Sequence, residues 1–219
     1  MRGVIFDLDG VLILSAEAHL ASWRMLAAEE GFGVTDEQFA QTFGRQNRDI
    51  IPLLVGHAVD ERTLARLSDR KESLYRDIVR GRLPVAPGAV ELIRDCRRAG
   101  LKLAIGSSTP PANLELALAE MAVADCFDAL VSSSDVTRGK PDPQVFLIAA
   151  ERLRIEPREC AVIEDALAGI AAAIAAGCLA IGVASQHPRA ALSAAHHIVD
   201  GLTELSAARI QELGTSRRD

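Results

Sequence analysis

Short apolar runs alternate with longer helical patterns over most of this chain, and no other feature of the sequence constrains the fold as strongly. The runs are bounded by turn residues and occupy Gly3–Phe6, 101–105, Ala129–Val131, 161–163, Leu179–Val183 and His197–Val199. Strands joined by helical crossovers pair in parallel, and strands that are apolar along their whole length are covered on both faces. The sequence therefore predicts an α/β fold with a doubly wound parallel sheet.

Residues 15–85 interrupt this alternation, because they contain about four helical patterns and no convincing strand. The first predicted strand precedes this block and the second follows it. The simplest organisation is an all-helical cap domain, residues 15–85, inserted into an α/β core domain made of residues 1–14 and 86–219. The last residues, 214–219, are predicted to be frayed.

The composition excludes several classes of protein. The formal net charge is −6, whereas a nucleic-acid-binding surface needs a basic face. The first strand ends at Asp7, which leaves no room for a signal-peptide core, so a cytoplasmic location is predicted. The four cysteines are widely spaced among apolar residues and are predicted to be buried, reduced thiols. They are Cys96, Cys126, Cys160 and Cys178.

One segment has the length and apolar composition of a membrane-spanning helix. Residues 166–184 include nineteen positions without a charged or polar side chain, close to the length of a transmembrane helix. Gly177 is a natural helix stop, however, and the β-like run Leu179–Val183 follows it. The segment is therefore predicted to be a buried helix leading into a buried strand, with no association with a membrane.

Two carboxylates close the first predicted strand, in the tetrapeptide Asp7-Leu8-Asp9-Gly10. Residues two apart on a strand point the same way, and Gly10 permits a sharp turn directly after them. Two like charges held this close are costly without a counter-ion, and oxygen ligands suit magnesium. The tetrapeptide therefore favours a magnesium site, although the same spacing also occurs in calcium loops, in metal-dependent sugar transferases and on solvated turns.

Polar residues also follow the second and third predicted strands. Ser107 and Ser108 directly precede a helix that starts with proline, and free N–H groups at such a start form an anion site. Capping of the helix is the alternative role for these side chains. Lys140 stands between a glycine and two prolines, and the prolines fix the backbone, so its ammonium can meet a phosphate as a point charge. Simple exposure to solvent is the alternative for this lysine.

Two more acids, Glu164 and Asp165, emerge from the fourth predicted strand. Unpaired carboxylates at the rim of a core are costly, and a cation shared with Asp7 and Asp9 removes that cost. Capping of the next helix by Asp165 is the alternative and does not exclude metal binding. Because the carboxyl ends of parallel strands meet at one edge of the sheet, all these sites are predicted to converge on one crevice.

With these motifs in this order, the chain resembles the haloacid dehalogenase superfamily over essentially its whole length, in particular the branch with a helical cap after the first strand. The resemblance implies that Asp7 is a nucleophile that becomes an aspartyl phosphate and that Asp9 is the general acid and base. The residues implied to hold the phosphoryl group are Ser107, Ser108 and Lys140. The residues implied to bind the cofactor Mg2+ are Asp7, Asp9 through its backbone carbonyl, Glu164 and Asp165.

The predicted cap is most similar to that of β-phosphoglucomutases and related sugar-phosphate phosphatases. The cap residues implied to line the substrate cleft are His19, Trp23, Gly44, Arg45, Asn47 and Lys71. His19 and Trp23 lie four apart on one helix face, where a plain core or surface pair is the alternative. Lys71 occupies an apolar-stripe position, so it either reaches into the cleft or extends its ammonium to solvent at the hinge.

These features together predict a magnesium-dependent phosphatase that cleaves a small phosphorylated metabolite, namely a sugar, polyol or two-carbon acid phosphate. Two alternatives stay open: a β-phosphoglucomutase-like mutase with the same active site, and a non-catalytic protein that binds phosphometabolites. Leu14 and Asn47 stand where the mutase pattern has an acid and an arginine, which weakens the first alternative. The protein is predicted to be a monomer or a weak homodimer.

Overall fold

Six parallel strands form one sheet in the computed structural model, which describes residues 1–215. The strands are β1 (Gly3–Phe6), β2 (Lys102–Gly106), β3 (Ala129–Val131), β4 (Cys160–Glu164), β5 (Leu179–Val183) and β6 (His197–Val199). Their order in the sheet is β3-β2-β1-β4-β5-β6, and every neighbouring pair is parallel. The predicted doubly wound α/β fold is confirmed, and each strand lies within one residue of its predicted position.

Three strand ends are level at the centre of this sheet. Phe6 of β1 lies opposite Ile105 of β2 and Ile163 of β4. The N–H of Asp7 donates to the carbonyl of Ile163 at 3.0 Å, so the pairing continues to the first motif acid. Side chains that follow these strands therefore emerge at one edge, where the strand order switches direction beside β1.

Five helices lie between β1 and β2, and the first four of them form the predicted all-helical insertion. They are α1 (Ala16–Glu30), α2 (Asp36–Thr42), α3 (Asn47–Val55) and α4 (Glu61–Val79). The insertion has an apolar cluster of its own, formed by Trp23, Leu26, Ile50, Ile51, Leu54, Leu67 and Leu74. Its two connections to the sheet run side by side, because the N–H of Leu14 donates to the carbonyl of Pro84 at 2.7 Å. The division into domains after residues 14 and 85 stays a prediction.

Five further helices cover the two faces of the sheet. They are α5 (Ala89–Arg98), α6 (Pro111–Met121), α7 (Gln144–Leu153), α8 (Leu167–Ala175) and α9 (Ala207–Thr215). Val4 and Phe6 pack with α5, α6 and α9 on one face, whereas Ile5 packs with α7 and α8 on the other. Because both faces of each central strand are buried, the strands are apolar at every position rather than at alternate ones.

The long apolar segment at 166–184 forms a helix and a strand, as predicted. Helix α8 ends shortly before Gly177, whose φ is +82°, and β5 follows. In the part of the chain that the structure describes, no helix has the length and apolarity needed to span a bilayer.

Two smaller predictions were wrong. Cys126 is only half-buried, because it lies in a short turn of 3-10 helix before β3. Gly214 and Thr215 belong to α9 rather than to a frayed tail. The rest of the predicted tail, residues 216–219, lies outside the described residues.

Candidate active site

Three carboxylates meet where β1 and β4 end. Asp7 follows β1, Glu164 is the last residue of β4, and Asp165 comes directly after it. One oxygen of each carboxylate lies within 4.8 Å of the other two, and all three side chains are buried. Glu164 also accepts a hydrogen bond from the N–H of Ala166 at 2.6 Å, so this acid rather than Asp165 supports the start of α8. Such a set of oxygen atoms can coordinate a hard divalent cation.

Two glycines leave room for these acids. An added Cβ at Gly10, whose φ is +83°, would lie 1.9 Å from Asp165 Oδ2. An added Cβ at Gly169, on the first turn of α8, would lie 1.8 Å from Glu164 Oε1. Close approach therefore excludes a side chain at both positions, and at Gly10 the left-handed backbone disfavours one as well.

Lys140 offsets part of the negative charge of this acid cluster. It lies in the loop before α7, with its Nζ 2.9 Å from Asp7 Oδ1 and 2.7 Å from Glu164 Oε1. Burial opposes the charge of the ammonium, but the carboxylates of Asp7 and Glu164 outweigh burial and raise the pKa of Lys140. Lys140 is therefore protonated, and it stands beside the acids as its sequence position suggested.

The acid cluster has more carboxylates than cations to balance them. Ionisation of all three carboxylates around one ammonium would leave two negative charges uncompensated. Burial raises the pKa of Asp7 to about 7, against the opposing effect of Lys140. Burial, followed by the charges of Glu164 and Asp7, also raises the pKa of Asp165 well above its usual range. Asp165 Oδ1 is buried and has no hydrogen-bond partner among the described residues. The excess of carboxylates and the orphaned oxygen both fit a bound divalent cation.

The side chain of Asp9 points away from this cluster and toward the helical insertion. It accepts hydrogen bonds from Ser15 Oγ at 2.5 Å, from His19 Nε2 at 3.1 Å and from Thr109 Oγ1. Burial favours the neutral acid, but the interaction with His19 and these hydrogen bonds hold the pKa of Asp9 below its usual range. Its carboxylate is therefore ionised in this conformation and lies outside the acid cluster. Metal binding through its backbone carbonyl stays a prediction.

His19 connects Asp9 to Lys71. His19 Nδ1 lies 2.7 Å from Lys71 Nζ, and because an ammonium can only donate, Nδ1 accepts and Nε2 carries the proton donated to Asp9. The imidazole stacks on the ring of Tyr75, with 4.0 Å between centroids and 8° between planes. Lys71 is only 2% exposed. Its ammonium therefore does not extend to solvent, and a contact of Lys71 with the substrate stays a prediction.

The hydroxyl residues after β2 form a tight loop. Ser107 Oγ donates to Thr109 Oγ1 at 3.0 Å and accepts from the N–H of Thr109 at 3.3 Å. Helix α6 begins after Pro110, and no side chain in the described part of the chain caps it. Capping is therefore not the role of Ser107 or Ser108. Thr109, which contacts Asp9, was missed in the sequence even though it belongs to the same hydroxyl run.

A cavity of about 260 Å³ lies between the strand ends and the helical insertion, a size that suits a small metabolite. Asp7, Asp9, Ser107 and Ser108 line it from the sheet side. The cap residues expected from the sequence all line it as well, namely His19, Trp23, Gly44, Arg45, Asn47 and Lys71. The remaining predicted site residues adjoin Asp7 without lining the cavity, namely Lys140, Glu164 and Asp165.

Glu72 is a lining residue that the sequence analysis missed. Its carboxylate accepts hydrogen bonds from Lys71 Nζ at 2.9 Å, Asn47 Nδ2 at 2.8 Å and Asn113 Nδ2 at 2.5 Å. Burial opposes ionisation, but Lys71 and the other partners outweigh it and lower the pKa of Glu72. Because Asn113 lies on α6, Glu72 ties the insertion to the sheet domain. No local pattern distinguishes it from a solvated acid on α4.

This chain is similar in sequence to a known protein family and to several characterised proteins. A model of the haloacid dehalogenase-like hydrolases matches residues 1–177. The chain is 33% identical over 195 residues to the β-phosphoglucomutase of Bacillus subtilis (strain 168), covering 86% of this chain and 85% of that protein. It is 32% identical over 210 residues to the validoxylamine A 7'-phosphate phosphatase of Streptomyces hygroscopicus subsp. limoneus, covering 92% and 94%.

The fold has a similar counterpart among solved structures. The crystal structure of β-phosphoglucomutase from Clostridium difficile superimposes with a TM-score of 0.89 at 26% identity, covering 99% of this chain and 98% of that one. Since both a mutase and a phosphatase are similar to this chain, the choice between these activities depends on the residues of the site.

Proposed function

The chain belongs to the haloacid dehalogenase-like hydrolase family, and from this premise we propose that it is a Mg2+-dependent phosphatase. Its substrate is a small phosphorylated metabolite, namely a sugar, polyol or two-carbon acid phosphate. The observation that carries the proposal is the position of Asp7, which lines the cavity, lies 2.9 Å from Lys140 and belongs to the buried acid cluster.

Asp7 is the nucleophile of the proposed reaction. Its carboxylate attacks phosphorus, the bond between phosphorus and the leaving oxygen breaks, and an aspartyl phosphate forms. Water then attacks the phosphorus, which releases inorganic phosphate and restores the carboxylate. Lys140 and the hydroxyl loop at Ser107 offset the charge of the phosphoryl oxygens in both steps. Asp7, Glu164 and Asp165 would hold Mg2+, which would supply additional positive charge for the phosphoryl group.

Asp9 is the proposed general acid and base. The ionised form, which its hydrogen bonds favour in this conformation, is the form that deprotonates water in the second step. The first step requires a proton on Asp9 for the leaving alkoxide. A bound phosphate monoester brings negative charge close to Asp9, and a nearby like charge raises the pKa of a carboxyl group. Substrate binding therefore shifts Asp9 in the direction that the acid role needs.

A magnesium-supplemented screen of phosphorylated metabolites tests the proposal, with released inorganic phosphate as the readout. Asp7→Asn is expected to keep its circular dichroism spectrum and to lose turnover almost entirely. Asp69→Asn is the matched control, since Asp69 is exposed on α4 and does not line the cavity. Phosphate release by Asp7→Asn at the wild-type rate would contradict the proposed role of Asp7.

A second candidate is a phosphosugar mutase with the same nucleophile, favoured by the 33% identity to the β-phosphoglucomutase of Bacillus subtilis. In that reaction the phosphoryl group returns to the sugar instead of passing to water. Asn47 stands where the mutase pattern has an arginine. Its Nδ2 donates a hydrogen bond to Glu72, and its neutral side chain adds no positive charge to the cavity. Conversion of β-glucose 1-phosphate to glucose 6-phosphate with little free phosphate would favour the mutase.

We propose in addition that the protein acts in the cytoplasm as a monomer or a weak homodimer. The separate apolar cluster of the insertion supports its assignment as a cap domain of residues 15–85. Such a cap can close over the substrate to exclude bulk water and open to release the products.

A further inference from the structure

A serine after β5 contacts the acid cluster, although the sequence analysis predicted no site residue after this strand. Ser185 follows β5 by two residues and is half-buried. Its Oγ donates a hydrogen bond to the carbonyl of Gly10 at 2.6 Å and lies 3.5 Å from Asp165 Oδ2. Because β5 pairs with β4 in a register that places Gly182 opposite Glu164, Ser185 lies at the same edge of the sheet as the acids.

The two carboxylate oxygens of Asp165 have different surroundings. Oδ2 packs so closely against Gly10 that an added Cβ there would lie 1.9 Å away, and Ser185 Oγ is 3.5 Å from the same oxygen. Oδ1 is buried and has no hydrogen-bond partner within the described residues. A buried polar atom without a partner is costly, so a ligand is expected at Oδ1. Gly10 and Ser185 therefore hold the carboxylate in an orientation that leaves Oδ1 for a cation.

Ser185 also fixes the turn that follows Asp7. A hydroxyl group has one proton to donate, and the shorter contact, to the carbonyl of Gly10, receives it. The N–H of Gly10 donates to the carbonyl of Ile13 at 2.7 Å, so both polar groups of this peptide segment are held. In the sheet, β4 lies between β1 and β5. The hydrogen bond from Ser185 therefore ties the turn after β1 to the turn after β5, across the end of the strand that carries Asp165.

We propose that Ser185 is a positioning residue of the metal site. By holding the Gly10 turn across the end of β4, it fixes the separation between the carboxylates of Asp7 and Asp165 and the orientation of the latter. Ser185 is not among the residues that line the cavity, so its effect is exerted on the metal ligands rather than on the substrate. The inference rests on the proposed function, which requires the Mg2+ site.

Isothermal titration calorimetry of the substrate-free protein with MgCl2 tests the inference independently of turnover. Ser185→Ala removes the hydroxyl, and Ser185→Thr keeps one. Ser193→Ala is the matched control, because Ser193 is an exposed serine between β5 and β6 that does not line the cavity. Melting temperatures without metal and the Mg2+ dependence of phosphate release from p-nitrophenyl phosphate complete the comparison.

The Kd of Ser185→Ala for Mg2+ is expected to rise by about 10-fold or more, the range seen when a residue that orients metal ligands is removed. The Mg2+ concentration that gives half-maximal turnover should rise by the same factor, whereas kcat at saturating Mg2+ should be retained. Ser185→Thr and Ser193→Ala are expected to bind Mg2+ as the wild type does. A role in anchoring the turn alone instead predicts a lower melting temperature with an unchanged Kd.

An unchanged Mg2+ affinity in Ser185→Ala would overturn the inference, as would an equal loss of affinity in Ser185→Thr, because the hydroxyl would then not be the group that matters. If Ser185→Ala does not fold, Ser185→Cys makes the same comparison, since a thiol of similar size is only a weak donor. In these cases the wild type still binds Mg2+ and releases phosphate, so the proposed function stands. A wild type that binds Mg2+ but releases phosphate from no phosphomonoester contradicts the proposed function itself, and the two failures are therefore distinguishable.

Discussion

Gly10→Ala is predicted to disrupt the acid cluster without changing any acid. A left-handed backbone costs a non-glycine residue about 1–2 kcal/mol, and the φ of Gly10 is +83°. The larger effect comes from the new Cβ, which would lie 1.9 Å from Asp165 Oδ2. Atoms in van der Waals contact are ~3.5 Å apart, so the Asp165 carboxylate must move by more than ~1 Å.

A displacement of this size matters because metal-ligand distances tolerate changes of only ~0.2 Å. The affinity for Mg2+ is expected to fall by about 10-fold or more, the range seen when residues that orient metal ligands are changed. Isothermal titration calorimetry of the substrate-free protein with MgCl2 measures this loss independently of turnover. Urea unfolding of the same variant measures the cost in free energy of unfolding.

Gly31→Ala is the matched control for backbone strain. Its φ is +80°, and no atom lies within 4 Å of an added Cβ. Both variants should lose a similar free energy of unfolding from the left-handed backbone, but only Gly10→Ala should lose affinity for Mg2+. Unchanged Mg2+ affinity in Gly10→Ala, or an equal loss in Gly31→Ala, would refute the claim that Gly10 makes room for a metal ligand.

Three further perturbations test the charges and contacts around the cavity. Lys140→Met leaves the buried carboxylates of Asp7 and Glu164 without their ion-pair partner. Without Mg2+, the free energy of unfolding of this variant in urea should therefore fall by about 3–5 kcal/mol, and an unchanged value would contradict the ion pair. The folded-state pKa of Glu72 lies below its ordinary value of 4.5, so its ionised form stabilises the fold above that pH and this contribution disappears as the pH falls through the folded pKa. The gap in urea stability between the wild type and Glu72→Gln should therefore stay constant above pH 4.5 and narrow as the pH falls below 4.5, whereas a gap that does not narrow would contradict the shift. Asn113→Ala removes the side chain that hydrogen-bonds both Glu72 and Arg76. Its free energy of unfolding in urea should fall by about 1–3 kcal/mol, and an unchanged value would contradict the importance of these contacts.

The strand ends and their motif residues could be predicted because each depends on a short stretch of sequence. An apolar run such as Gly3–Phe6 marks a buried strand, and the polar residue after it marks the strand's end. The parallel order then places Asp7, Lys140 and Asp165 at one edge. Local patterns and one rule of topology therefore account for most of the site on the sheet side.

Contacts between distant segments could not be predicted in this way. Glu72 and Asn113 are 41 residues apart, and their hydrogen bond depends on how α4 packs against α6. The turn of the Asp9 side chain toward Ser15 likewise depends on the position of the insertion.

The proposed function depends on the transfer of the phosphoryl group to Asp7. Enzyme quenched in acid during turnover with Mg2+ and a cleaved phosphomonoester can be reduced with borohydride, which converts an aspartyl phosphate to homoserine. Mass spectrometry of the resulting peptides is expected to locate homoserine at position 7, and Asp7→Asn treated in the same way should contain none. Homoserine at a different aspartate, or unmodified Asp7 in enzyme whose phosphoryl group is trapped elsewhere, would contradict the proposed mechanism.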